Sequence, residues 1–345
     1  MAVTFDISPE KEASTLQFFY RQFFVTPPPV SIHDADVNGK TAIVTGANVG
    51  LGLETARQLL DLGCNLILAV RDEAKGEIAL RDLANGRDLP SDAIRVWQLD
   101  LSSYDSITSF VDRARGLKHL DIAVLNAGIY KVFEDFSPAG YEEGVQINYL
   151  SNVLLLTSLL PVLQEKKRGN TPGRLVLVSS DTASWCKFAE RTSNPLLPAF
   201  KKKMPQWDMQ ERYGVSKLLG QFFLAELAKR VPASAVTVTS ANCGMCYGSS
   251  IGREGKGYFV GFAFGIISRI IGRTCTVGAR TFVHAAARMG DEVHGQYVED
   301  AKLRPMAPII YKPEGLRIAK LLWEETMHEL SFAGVEEIIA GLTQK

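Results

Sequence analysis

Thr41-Ala-Ile-Val-Thr45-Gly46-Ala47-Asn48-Val49-Gly50-Leu51-Gly52 decides the architecture of this chain. A short β-branched and apolar run reads as a buried strand. It ends at a glycine turn, and helical spacing then runs from Leu51 to Leu62, closed by Gly63 at a C-cap position. Gly46, Gly50 and Gly52 stand where a Cβ would block a tight turn or the close approach of a pyrophosphate. The N–H groups that open the next helix would face that anion, with Asn48, Val49 and Leu51 beside it. The spacing is GxxxGxG rather than GxGxxG, so the turn gains its meaning from the strand and helix around it.

The same alternation continues outward. Strands are expected at 66–70, 94–99, 122–125, 174–179 and 235–240, and helices at 73–85, 104–115, 141–163 and 213–228. Strands separated by helices of this length require crossovers, hence an α/β fold with a Rossmann-like, doubly wound parallel sheet. No polar linker divides two cores, so 39–345 reads as one domain, preceded by a leader over 1–38 that packs on it. Ser14 to Phe24 is a short amphipathic helix stopped by Pro27-Pro28-Pro29. Two segments fall outside the repeat: a long insertion, 181–212, of the kind that forms a lid or binding loop, and an apolar helical cap, 244–285.

The end of the second strand selects the cofactor. A carboxylate there bonds a ribose diol and repels a 2′-phosphate. Val70 and Arg71 stand in its place, and arginine presents a planar fork to phosphate oxygens, so NADP(H) is preferred over NAD(H). Pairing of Arg71 with Asp72 or Glu73 is the competing reading. Asp100, followed by Leu101, is placed to accept from an adenine amino group or to cap the next helix. Asn126-Ala127-Gly128 ends the fourth strand with small residues that let backbone lie beside a ribose.

Tyr213 and Lys217 are four apart and share a helix face. A free phenol titrates near ~10, too high for efficient proton transfer at neutrality. A neighbouring ammonium and the positive nicotinamide ring of the oxidised cofactor are expected to lower it. Tyr213 would donate a proton as hydride reaches a carbonyl carbon, Lys217 would also hold ribose hydroxyls, and Ser180 would bond the substrate oxygen. Asn148 is expected to hold a water leading from Lys217 to solvent.

Composition excludes other classes. The 345 residues carry 38 Lys+Arg and 38 Asp+Glu, and no basic stripe invites nucleic acid. The five cysteines are sparse and odd in number, unlike a secreted disulfide framework. Cys243-Gly-Met-Cys246 lacks the second pair of a zinc site, and the five histidines have no ligand spacing, so no metal is expected. The apolar stretches 16–25 and 258–271 are too short to span a bilayer, which leaves room only for peripheral contact. A cytoplasmic location is the expectation.

Thr45 to Gly52, Asp100, Asn126-Ala-Gly128, Asn148, Ser180 and Tyr213/Lys217 together resemble the classical short-chain dehydrogenase/reductase family over about residues 38–300. The resemblance implies a sheet of about seven strands, a catalytic tetrad of Asn148, Ser180, Tyr213 and Lys217, and hydride transfer between NAD(P) and an alcohol or carbonyl carbon. Gly278-Ala-Arg280-Thr, His294-Gly-Gln-Tyr297 and Leu322-Trp-Glu-Glu325 are similar to the retinol-dehydrogenase and WW-domain-oxidoreductase branch. The aromatic leader resembles fungal reductases that tailor secondary metabolites. Cys243-Gly244 replaces the family's Pro-Gly, which puts Cys243, Gly244 and Met245 at the nicotinamide amide pocket. Ser180 and Tyr213 lie further apart in sequence than is usual, because of the insertion.

An apolar, mid-sized ketone or secondary alcohol fits the aromatic supply of Trp185, Trp207, Tyr247, Tyr258, Phe259, Phe262 and Phe264. Of these, Trp185, Trp207, Tyr247, Tyr258 and Phe262 are the expected substrate contacts. The competing readings are a cofactor-binding structural or regulatory protein without turnover, and an isomerase or cyclase on the same fold. The resemblance is compatible with a homodimer through helices flanking the sheet, and the apolar run 258–271 could instead make a monomer with a capped pocket.

Overall fold

The computed structural model describes residues 4–255 and 257–342. The side chains of Val260 and Ala263, and of Phe259 and Phe264 from the aromatic set above, lie outside the described residues. The strands are β1 (Thr41–Thr45), β2 (Asn65–Val70), β3 (Ile94–Gln98), β4 (Ile122–Leu125), β5 (Gly173–Val178), β6 (Val236–Asn242), β7 (Cys246–Tyr247), β8 (Arg273–Thr274), β9 (Tyr297–Glu299) and β10 (Lys302–Arg304). The helices are α1 (Pro9–Glu12), α2 (Thr15–Phe24), α3 (Gly50–Asp61), α4 (Glu73–Ala84), α5 (Tyr104–Arg115), α6 (Glu143–Val145), α7 (Asn152–Lys166), α8 (Met209–Leu227), α9 (Phe259–Ile271), α10 (Cys275–Val283), α11 (Pro313–Glu329) and α12 (Val335–Leu342).

The main sheet runs β10-β9-β6-β5-β4-β1-β2-β3, parallel except for the β9–β10 pair. Side chains alternate along each strand, so successive residues feed opposite cores. Ile43 and Ile67 join the core with α5, α7 and α8, whereas Ala42, Val44, Leu66 and Leu68 join the one with α3 and α10. Covering both faces explains why these strands read as continuous apolar runs. The order reverses between β1 and β4. Their carboxyl ends therefore splay around a crevice, where ligands of open α/β sheets bind.

The sheet has eight strands rather than about seven. The extra edge is β10, paired to β9 through a tight turn at Asp300 and Ala301, both with positive φ. Residues 141–163 form no continuous α-helix: a π-helical segment over Gln146–Ser151 separates α6 from α7. Asn148 lies in it, and such wide turns recur at functional sites. Helix α8 begins at Met209, capped by Asp208, which places Tyr213 in its second turn.

The insertion is anchored. Glu325 on α11 accepts from the N–H groups of Leu196 (2.8 Å) and Leu197 (2.6 Å). Glu211 accepts from Lys187 and Phe188, and Phe188 and Phe200 are buried. The cap is helical over α9 and α10. The described side chains of α9 are largely exposed, with Phe262 67% accessible. The stretch Glu143–Lys166 is long and apolar enough to cross a membrane, but it is mostly buried against the sheet.

Candidate active site

The glycine turn holds because its neighbours leave no room for side chains. A Cβ on Gly52 would lie 2.3 Å from the Gly46 carbonyl oxygen. Gly46 and Gly50 have φ of +65° and +59°, the left-handed region that glycine adopts without cost. Thr45 ties the turn to β4: its Oγ1 accepts from Ala127 N–H at 2.8 Å, and its carbonyl accepts from Asn126 Nδ2 at 2.9 Å. Above these strand ends opens a cleft. Gly46, Asn48, Val49, Leu51, Gly52, Arg71, Asp100, Leu101, Asn126, Ala127 and Gly128 all line it. Gly50 does not; its bare Cα lets Ser249 approach, where a Cβ would sit 3.1 Å away.

Asp72 caps α4 and pairs with Lys75 at 3.1 Å, so it does not neutralise Arg71. Among the described residues Arg71 has no ion-pair partner, and it is exposed to the cleft. Asp100 is not the cap of α5, a position Ser103 fills. Its Oδ1 accepts from the N–H and hydroxyl of Ser102. The bare glycines leave the room that a dinucleotide's pyrophosphate needs beside the helix start.

The cleft runs into an apolar chamber; Leu51, Asn126, Gly128, Ser249 and Ile251 line both. Ser180, Tyr213, Lys217, Cys243, Gly244, Met245 and Trp185 line the chamber. Asn148 stands behind it. Its Oδ1 accepts from Ile129 N–H at 2.8 Å, and its Nδ2 donates to Ile129 O (2.9 Å) and Ser216 Oγ (3.0 Å). The carboxamide therefore braces the end of the Asn126-Ala-Gly128 segment. A Cβ on Gly128 would lie 2.9 Å from Asn148 Oδ1 and 3.5 Å from Lys217 Nζ, so both groups face that glycine.

The electrostatics differ from expectation. Burial pushes the Tyr213 phenol well above its usual value, with Cys243 adding to the rise, while a contact from Ser180 favours the phenolate. Burial also pulls the Lys217 ammonium down to about 8. The expected lowering of Tyr213 by Lys217 is not present in this arrangement. The amine sits 5.7 Å from the ring centroid and donates to Val178 O.

Of the expected substrate contacts, only Trp185 and Ser180 reach the chamber. Trp207 turns away and donates to Val132 O at 2.8 Å. Tyr258 packs edge-on to Phe133, and Tyr247, Tyr258 and Phe262 are exposed to solvent. Two aromatic rings missing from that set do line the chamber: Phe18 and Tyr130. Tyr130 packs against Tyr213 with centroids 4.9 Å apart. It follows Asn126-Ala-Gly128 by two residues, a position from which it was findable. Phe18 lies in the leader, and no local pattern links it to the site.

A family model for short chain dehydrogenases matches residues 40–189. A short-chain dehydrogenase of Aspergillus ruber (strain CBS 135680), fogG, is 62% identical over 348 residues and covers 100% of both chains. The chain belongs to the short-chain dehydrogenase family. Another member, the short chain dehydrogenase/reductase mfmJ of Annulohypoxylon moriforme, is 40% identical over 97% of this chain and 98% of its own. Among solved structures, a protein from Mycobacterium paratuberculosis superposes with a TM-score of 0.61 at 24% identity, over 87% of this chain and 97% of that one. A short chain dehydrogenase from Escherichia coli CFT073, complexed with NADPH, gives 0.57 at 18% identity, over 79% and 99%. These structures share the fold. As a member of this family, the chain is an oxidoreductase that uses a nicotinamide cofactor.

Proposed function

We propose that this enzyme reduces the ketone of a mid-sized, largely apolar metabolite with NADPH, and oxidises the matching secondary alcohol in reverse. The supporting observation is that Ser180, Tyr213 and Lys217 line one apolar chamber that opens into the glycine-turn cleft. Gly46, Gly52, Asn126 and Gly128 would hold the cofactor's backbone, Asp100 and Leu101 its adenine side, Arg71 a 2′-phosphate, and Lys217 the nicotinamide ribose. When bound, the cofactor supplies the hydride that adds to the carbonyl carbon.

Tyr213 donates its phenolic proton to the carbonyl oxygen as negative charge gathers there, and the phenolate takes that proton back in the oxidative direction. Burial keeps the phenol protonated, which suits the reductive direction. Ser180 Oγ, which accepts from Thr182 Oγ1 at 3.0 Å, would bond the same oxygen. Asn148 acts one step back, by fixing the Gly128–Ile129 backbone against which the cofactor rests. All five cysteines are unpaired thiols, as suits the cytosol. The fungal relatives carry the further proposal that the substrate is a secondary metabolite.

NADPH oxidation in the presence of apolar ketones, parent against Tyr213→Phe, tests the reading. General acid catalysis predicts a loss of about 10²–10⁴-fold. Equal rates would remove Tyr213 from the mechanism. Ketone conversion without stoichiometric cofactor consumption would point to an isomerase or cyclase instead.

A further inference from the structure

The leader reaches the chamber through one face of α2. Phe18, 6% accessible, lines the chamber and meets Trp185 edge-on, with centroids 5.0 Å apart. The Trp185 indole N–H donates to Ala13 O at 2.9 Å, so this ring is set by the leader on both sides. One turn beyond Phe18, Gln22 Nε2 donates to the carbonyls of Met245 (3.0 Å) and Ile271 (2.9 Å), and its Oε1 accepts from Met245 N–H at 3.2 Å. Between them Arg21, 3% accessible, pairs with Asp181, the neighbour of Ser180, and with Glu299 at 3.0 Å.

Leu16, Phe19, Tyr20, Phe23 and Phe24 on the same helix are exposed. Burial of apolar surface is thus a minor part of what seats α2. Its directed contacts go to Asp181 and Trp185 on one segment and to Met245 on another, and all three residues line the chamber.

We propose that Phe18 is a specificity-determining residue: with Trp185 it forms the wall that limits the bulk of the carbonyl substrate, and Arg21 and Gln22 hold it in place. The inference rests on the chamber being the substrate site of the proposed reductase. Kinetics with NADPH and acetophenone, 2-acetylnaphthalene and 2-acetylanthracene test it in the full chain, for the parent, Phe18→Ala, Phe18→Leu and the exposed control Tyr20→Ala. In Phe18→Ala the kcat/KM ratio of the bulkier ketones to acetophenone should rise about tenfold or more, the scale on which apolar pockets discriminate size. Phe18→Leu should shift it less and in the same direction, and stands in if the alanine variant does not fold. Tyr20→Ala should leave the ratio as it is, and KM for NADPH should not move in any variant. An unchanged ratio in a folded Phe18 variant, or an equal shift in Tyr20→Ala, overturns the proposal. If the parent turns over none of the ketones, it is the reductase reading that fails. Calorimetric binding of the same three compounds then decides the wall: a shift of affinity toward the bulkier ones in Phe18→Ala supports it. Equal affinities, or no binding to the parent, overturn it.

Discussion

Lys217 Nζ donates to the carbonyl oxygen of Val178 at 3.0 Å, so the helix that carries the phenol is pinned to the end of the strand that leads to Ser180. The amine gives up most of its water for this bond. Its pKa falls to about 8 because burial disfavours the ammonium, with Cys243 opposing. In the free enzyme Lys217 is charged below that pH and loses its charge as pH rises through it. The pH profile of kcat/KM should therefore show an ionisation near pH 8, which Lys217→Met abolishes along with most of the activity. Cofactor-free titration of the amine by NMR locates the same pKa. A value at the ordinary lysine position would show that the side chain stays hydrated.

Arg71 faces the cleft without a carboxylate to neutralise it, since Asp72 is committed to Lys75 and to the start of α4. A charge-assisted bond to phosphate contributes about 1.5–3 kcal/mol. Arg71→Ala should raise KM for NADPH by about tenfold or more and leave KM for NADH nearly unchanged. If both rise together, Arg71 orders the strand end rather than reading the 2′-phosphate.

Gly52→Ala offers a steric test of the turn. The added Cβ would sit 2.3 Å from Gly46 O, which cannot yield without moving the backbone of the turn, and 2.7 Å from Asn126 Nδ2, which could yield only by giving up its bond to Thr45 O. Alanine is otherwise a good helix residue. The variant should lose nucleotide affinity, read by fluorescence titration with NADPH, by more than its melting temperature would suggest. Full affinity would mean that the turn opens freely.

The central strands were legible because a sheet covered on both faces demands unbroken apolar runs, and β1, β2 and β4 consist of little else. The pair β9–β10 was not. Three residues each carry too little pattern, and β9 takes its register from β6. The glycine turn and the Tyr213–Lys217 spacing were legible since both obey local geometry. Substrate contacts were not, because an aromatic residue in sequence signals apolar surface without direction: Trp185 turns inward while Trp207 is held outward by Val132. The leader's part in the site depends on partners at positions 12, 181, 299 and 300, which no window of sequence joins.

Those partners form a buried cluster with its own pH signature. Arg21, Arg273 and Arg304 face the buried Glu12, Asp181, Glu299 and Asp300, and Arg304 is shared with the exposed Asp6, so carboxylates outnumber guanidiniums. Burial raises the Glu299 pKa well above its ordinary value, Asp181 adds to the rise and Arg21 opposes it. A carboxyl whose pKa is higher folded than unfolded binds more protons in the native state. Its contribution is therefore most favourable at low pH and declines as pH rises from the unfolded value through the folded one. Glu299→Gln keeps an oxygen for Asn242, which donates to Glu299 Oε1 at 2.8 Å, and removes that titration. In denaturant melts the variant should gain on the parent as pH is raised, and be at least as stable at pH 8. Arg21→Met leaves several carboxylates without their counter-charge and should cost about 3–5 kcal/mol. If Glu299→Gln is as damaging as Arg21→Met at pH 8, Glu299 is held as the anion, and the charge excess resides on another member of the cluster.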